Sequence, residues 1–210
     1  MIKKNLKILI VTSVIILLPI LGGILLWNQL PEQIPSHWNV QGEIDGWLPK
    51  AAVVFGMPFF MLLIQWVGVF ATLSDPKRTN HSGKILHLVF WLVPAIDLLL
   101  SAVVYFTAMG EDVRVETILP ILMGVLFVAI GNYFPKCRQN YTIGIKIPWT
   151  LHSEENWNKT HRLAGFVWVL GGILMIIGGF FGQFILTLIA ILPMTLIPVV
   201  YSYILHRKGV

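Results

Sequence analysis

The feature that most limits what this chain can become is a series of long apolar blocks separated by short polar connections. Six can be marked: Ile8–Trp27, Ala51–Leu73, Ile85–Met109, Thr117–Phe134, Leu163–Phe181 and Phe184–Leu205. About 20 apolar residues cross a bilayer as a helix, and a helix satisfies its own backbone polar groups there. Strands of about ten residues with alternating polarity, the mark of a transmembrane barrel, are absent. Only 12% of the 210 residues are charged, roughly half the share in a soluble domain. The expectation is an all-α polytopic membrane protein, one membrane domain over residues 1–210 built as a bundle of six transmembrane helices.

The first block follows Lys3, Lys4 and Lys7 in the manner of a signal peptide. It exceeds the usual apolar region of about 7–15 residues and no Ala-x-Ala site follows, so it reads as an uncleaved first span. Basic residues alternate between loops. One side holds Lys3, Lys4, Lys7, Lys77, Arg78, Lys84, Lys136, Arg138, Lys146, Lys159, Arg162, Arg207 and Lys208. The other holds Lys50 and Arg114 with most of the acids, Glu32, Glu43, Asp45, Glu111, Asp112 and Glu116. Positive loops stay inside, so both termini are expected in the cytosol of a bacterial cell with the plasma membrane as the site. Residues 28–50 are then an extracellular cap loop, and residues 135–162 a cytosolic interfacial loop and helix. The net charge of +5 flanks spans without forming an aromatic-interleaved patch, which points to membrane lipids and away from direct nucleic-acid contact. Gly182-Gln183 makes the last two spans a tight hairpin, and the absence of an internal repeat weighs against an inverted-repeat transporter.

In the cap loop, Pro31, Pro35 and Pro49 disfavour helix, while Gly42 and Asp45-Gly46 are turn signals. A compact, partly extended cap is expected, with Trp38 and Trp47 suited to the headgroup layer. His37, Glu43 and Asp45 match no metal-ligand spacing.

Asp97 lies within the third span. A carboxyl in hydrocarbon is costly and turns to the bundle interior. Pro94, Asp97, Ser101 and Tyr105 share one helical face, which His87 and Trp91 roughly extend. Pro94 leaves a carbonyl near Phe90 without its usual donor. Two readings stand: a proton or polar-ligand site, or a neutral carboxyl hydrogen-bonded to a neighbouring helix.

The run from Gly131 to Arg162 is far longer than a helix connection needs. Pro135 stops the fourth span, with Lys136 and Arg138 complementing the helix end or lipid phosphates. Asn140 to Ile145 is expected along the interface with Gly144 as a turn, and Pro148 makes Ile147 extended. Ser153 is an N-cap followed by Glu154 and Glu155, starting a helix that carries Trp157, His161, Gly165 and Trp168 on one face into the fifth span. Trp149 and Trp157 read as interfacial anchors or as a docking surface. No hydrolase, nucleotide-loop or zinc-protease motif is present. Cys137, the single cysteine, supplies neither disulfide nor Cys-based metal site. No catalytic residue, metal or cofactor is assigned, and the chain is read as a non-enzyme.

Two segments resemble a known family. The cap loop, Leu30 to Lys50, is similar to a short domain near the start of many bacterial membrane proteins, through Pro31, Ile34, Pro35, His37, Trp38, Gly42, Asp45 and Gly46. The inner run resembles the hallmark of the SdpI family of immunity proteins, through Asn132, Lys136, Asn140, Gly144, Lys146, Pro148, Trp149, Trp157, Thr160, His161 and Arg162. The resemblance implies protection against a secreted, membrane-active peptide toxin sensed by the cap loop and the span interior. It further implies signal transduction, with a cytosolic helix-turn-helix repressor held on the inner surface. Lys146 stands where the family commonly has Arg, trading a bidentate fork for a point charge. The alternative is a small proton-coupled transporter or channel using Asp97, Ser101 and Tyr105.

Overall fold

The computed structural model describes residues 2–39 and 41–210. Side chains of residues 2–4 lie outside that description, and with them Lys3 and Lys4 of the orientation argument. Among the described residues six helices are long and apolar enough to cross a membrane, Asn5–Leu25, Ala52–Leu73, Gly83–Ala108, Val115–Lys136, Glu154–Phe180 and Phe184–Arg207. The chain forms two compact units. The first is the chain up to Leu73 with Leu86–Val115, and the second is Ser74–Ile85 with Glu116–Val210.

The first unit opens with helix α1 (Ile2–Leu25), then strands β1 (Gln33–Trp38) and β2 (Ile44–Pro49). The cap loop is therefore an antiparallel hairpin, pairing Ile34 with Leu48 and His37 with Gly46. Of its two expected turn signals, Gly42 lies in the turn at φ +82° and Asp45-Gly46 does not. Asp45-Gly46 lies in β2, whereas the chain reverses at Asn39–Glu43, where Asn39 Oδ1 accepts from Gln41 N and Glu43 N at 2.9 and 3.0 Å. An Asn side chain imitating a backbone turn outcompetes the Asp-Gly signal. Gly46 is needed for a different reason: a Cβ there would stand 2.8 Å from the Cβ of His37 on the opposite strand.

After the hairpin a wide helical turn, Ala52–Gly56, leads into α2 (Met57–Leu73), with Met57 N bonded to Ala52 O ahead of the donor-less Pro58. The long α3 (Gly83–Ala108) follows. Leu30, Ile34, Val53, Val54, Val104 and Tyr105 form one buried cluster, which anchors the hairpin on the helices.

In the second unit α4 (Val115–Tyr133) ends in a tight turn at Phe134–Lys136. A loop leads to the short α5 (Pro148–His152), which the sequence did not announce. Helix α6 (Glu154–Phe180) begins at the expected cap, Ser153, whose Oγ accepts from Asn156 N at 3.1 Å. Helix α7 (Phe184–Arg207) returns beside it after the turn at Gly182, φ +62°.

Helices α4 and α6 approach through glycines. A Cβ on Gly124 would lie 2.5 Å from Gly172 O, one on Gly131 3.0 Å from Gly165 O, and one on Gly179 2.8 Å from Thr117 O. Lipid-soluble helices gain nothing from apolar burial against one another, so close backbone contact at small residues supplies the attraction.

Candidate functional site

Three places carry unusual chemistry. The first is the hairpin. Exposed His37 and Asp45 meet at 2.5 Å between Nδ1 and Oδ1, and Trp47 presents 53% of its surface. Pro31 is exposed, while Trp38 and Gly42 are half-buried. Ile34 and Pro35 are buried, which corrects their assignment to a sensing surface: they hold the hairpin down. Lys50, one of the two basic residues opposing the charge rule, is a structural lysine. Its Nζ donates to Trp27 O at 3.1 Å and Leu30 O at 2.9 Å, pairs with Glu32, and caps the carbonyls beyond α1.

The second is the interior face of α3. Pro94, Asp97, Ser101 and Tyr105 are buried together as the spacing predicts. His87 and Trp91 are exposed, however, and Phe90 continues the buried stripe instead. Gln65 Nε2 meets the carbonyl that Pro94 orphans, donating to Phe90 O at 2.9 Å. It also lies 3.3 Å from Thr12 Oγ1. Tyr105 donates its hydroxyl to Pro19 O at 3.1 Å. Neither carboxyl oxygen of Asp97 has a protein partner, so the hydrogen-bonded-carboxyl reading lacks its neighbouring acceptor or donor.

The third is the loop system of the second unit, residues 74–82 with 136–153. Asn140 is its hub. Its Oδ1 accepts from Thr142 N and Ile143 N, and its Nδ2 donates to Arg138 O and Ile143 O, all at 2.7–2.9 Å. Gln139 Nε2 donates to Thr150 O and Leu151 O, while its Oε1 accepts from Lys77 Nζ. Gly144, at φ +121°, passes against His161, where a Cβ would collide with Nε2. His161 Nδ1 donates to Trp157 O at 2.8 Å and Nε2 accepts from Ile145 N at 2.9 Å, which makes the ring neutral. It stacks on Trp157 with centroids 4.0 Å apart, and Trp157 Nε1 donates to Cys137 O.

Much of the inner motif therefore holds the loop itself. Asn140, Trp157, Thr160 and His161 are at most 1% exposed, which removes them from the partner surface assigned to them. It also replaces a flat interfacial segment by a folded knot, since the motif's backbone groups need internal partners. Asn132, Lys136, Lys146, Pro148 and Arg162 are exposed, and Gly144 and Trp149 half-buried. Lys146 Nζ donates to Thr142 O, and Trp149 stacks on His206 of α7.

Sequence reasoning overlooked Asp75 and His81. Asp75, 2% exposed, accepts from Lys77 N at 2.7 Å, Tyr141 N at 2.9 Å and Thr142 Oγ1 at 2.8 Å. His81 Nε2 lies 3.4 Å from its carboxylate. Burial alone would raise the Asp75 carboxyl, but these hydrogen bonds and the nearby imidazole hold it below its ordinary value. Burial lowers His81 despite Asp75, and it pushes the Cys137 thiol up to about 11 against the bond from Asn140. The available signal was a lone acid in a loop otherwise rich in Lys and Arg.

Among the described residues no three His, Cys, Asp or Glu converge to hold a metal ion. Six membrane-length helices with elaborated loops define a multi-pass, all-α membrane protein. Residues 136–202 match the SdpI/YfhL protein family, and residues 14–62 match a domain of unknown function, DUF1648. The chain is 27% identical over 209 residues to Immunity protein SdpI of Bacillus subtilis (strain 168), covering 98% of this chain and 97% of that one. No solved structure matches.

Proposed function

We propose that this protein is an immunity protein of the bacterial plasma membrane, protecting its cell from a secreted, membrane-active peptide. The observation that carries the reading is likeness to an immunity protein along 98% of the chain, the hairpin and the inner loop included. Charge asymmetry supports an orientation with cytosolic termini and an external hairpin. The toxin-facing groups are then His37, Trp38, Asp45 and Trp47. Expression in a peptide-sensitive strain tests this: survival should rise, and absence of protection against every membrane-active peptide tried sinks it.

The finer part of the proposal is signalling. Asn132, Lys136, Lys146, Pro148 and Arg162, with half-buried Trp149, offer a basic surface to a cytosolic repressor. Co-purification of a helix-turn-helix repressor only from toxin-treated membranes supports it, and equal recovery without toxin overturns it.

The carboxyl of Asp97, buried and unpartnered, favours one second reading, a proton-coupled transporter or channel. Flux in proteoliposomes abolished by Asp97→Asn would favour it; flux unchanged by that substitution would remove it.

A further inference from the structure

The loop system of the second unit, with the adjoining ends of α3 and α4, borders a half-open cavity of ≈ 390 Å³ lined by Asn80, His81, Lys84, Tyr133, Lys136 and Arg138 among others. Its lining carries three permanent cations and no acid. Among the described residues none of these cations makes an ion pair, and Lys136 instead lies 5.4 Å from the ring centre of Tyr133. Like charges converging without a counter-charge repel one another, an arrangement that an incoming anion relieves. Lys84 sits at the start of α3 and Lys136 at the end of the fourth span, the depth at which headgroup phosphates lie.

A second observation is independent of charge. The His81 side chain is 1% exposed, and its Nδ1 is buried with no hydrogen-bond partner. Nε2 faces Thr142 Oγ1 and Asp75 Oδ2 at 3.3 and 3.4 Å. Since Asp75 only accepts, Nε2 carries the proton, and Nδ1 is left as an unused buried polar atom on a residue that lines the cavity. A buried polar atom without a partner is costly.

We propose that this cavity binds a phosphate group, either of an anionic lipid headgroup or free in solution. Lys84, Lys136 and Arg138 neutralise the phosphate oxygens, with Arg138 supplying the planar fork suited to them. His81 Nδ1, unprotonated, accepts from a ligand hydroxyl. The site does not depend on the immunity reading, because its test requires only the purified protein.

The test is titration calorimetry on the full chain in a neutral detergent with three probes: dioctanoyl phosphatidylglycerol, dioctanoyl phosphatidylcholine and inorganic phosphate. Saturable binding of phosphatidylglycerol alone identifies a lipid headgroup site, whereas binding of inorganic phosphate in competition with it shows that the phosphate group suffices. In either case the double variant Lys136→Gln with Arg138→Gln should bind about tenfold more weakly or worse. Both side chains are exposed, so the fold tolerates the change. A ¹⁵N shift of His81 Nδ1 on saturation should accompany binding. No binding of any probe, equal binding of phosphatidylcholine, or undiminished binding by the double variant overturns the proposal.

Discussion

Gln65 Nε2 donates to the carbonyl of Phe90 at 2.9 Å, the acceptor that Pro94, four residues later in α3, leaves without an amide. A defect in one span is thus repaired by a side chain from another. Gln65→Leu should cost about 1–2 kcal/mol, the range for a buried bond lost inside a membrane protein. Adding Pro94→Ala restores an intrahelical donor and should recover most of the loss. Thermal unfolding of the single and double variants in detergent measures the coupling, and additive losses would refute it.

The contact of α4 with α6 predicts a steep size dependence. A Cβ on Gly172 would sit 2.6 Å from Gly124 O. Gly172→Leu should therefore destabilise by about 1–3 kcal/mol or more, the usual cost of overpacking. Gly68, whose Cβ would meet nothing within 4 Å, should tolerate alanine with little change in the unfolding midpoint.

Acid sensitivity follows from Asp75 and His81. Both are held below their ordinary values, 3.8 and 6.5, so the unfolded chain binds more protons than the folded one as pH falls. His81 contributes stability above 6.5 that fades as pH drops below it, and Asp75 contributes above 3.8 and is lost beneath that. Unfolding midpoints should decline in two stages on acidification. Asp75→Asn should remove the lower stage and leave a single decline below 6.5, and persistence of the lower stage in that variant would contradict the assignment.

Asp97, with neither oxygen bonded, imposes a cost on its surroundings. Asp97→Leu should raise stability by about 1 kcal/mol or more, because an unsatisfied polar group is exchanged for an apolar one of similar size. Loss of stability would mean that the carboxyl has a structural partner.

On the hairpin, Trp47 is 53% exposed and Ile34 fully buried. Trp47→Ala should leave the unfolding midpoint nearly unchanged while lowering survival under peptide challenge. Ile34→Ala should instead cost about 2–5 kcal/mol as a core truncation. Equal effects of the two on both measurements would dissolve the distinction between contact and anchor.

The spans, the Ser153 cap, the turn at Gly144 and the orphaned carbonyl at Phe90 were legible in the chain, since each follows from local chemistry: the length of an apolar run, an N-cap residue, a glycine, a proline. The identity of the residue that answers Phe90 was not, because Gln65 lies 25 positions away. Nor was the hairpin register, which draws Asp45-Gly46 into β2 and leaves the reversal to Asn39 and the expected Gly42. The inner motif shows the same divide more sharply. Its residue types announced a specialised segment, yet only the fold turned Asn140, Trp157, Thr160 and His161 inward as struts and left Lys136, Lys146 and Arg162 outside. Backbone amides in a tight loop must find partners wherever the chain brings polar atoms near, and that proximity is a property of three dimensions. Asp75 and His81, 61 and more positions from Thr142, owe their part in the site entirely to it.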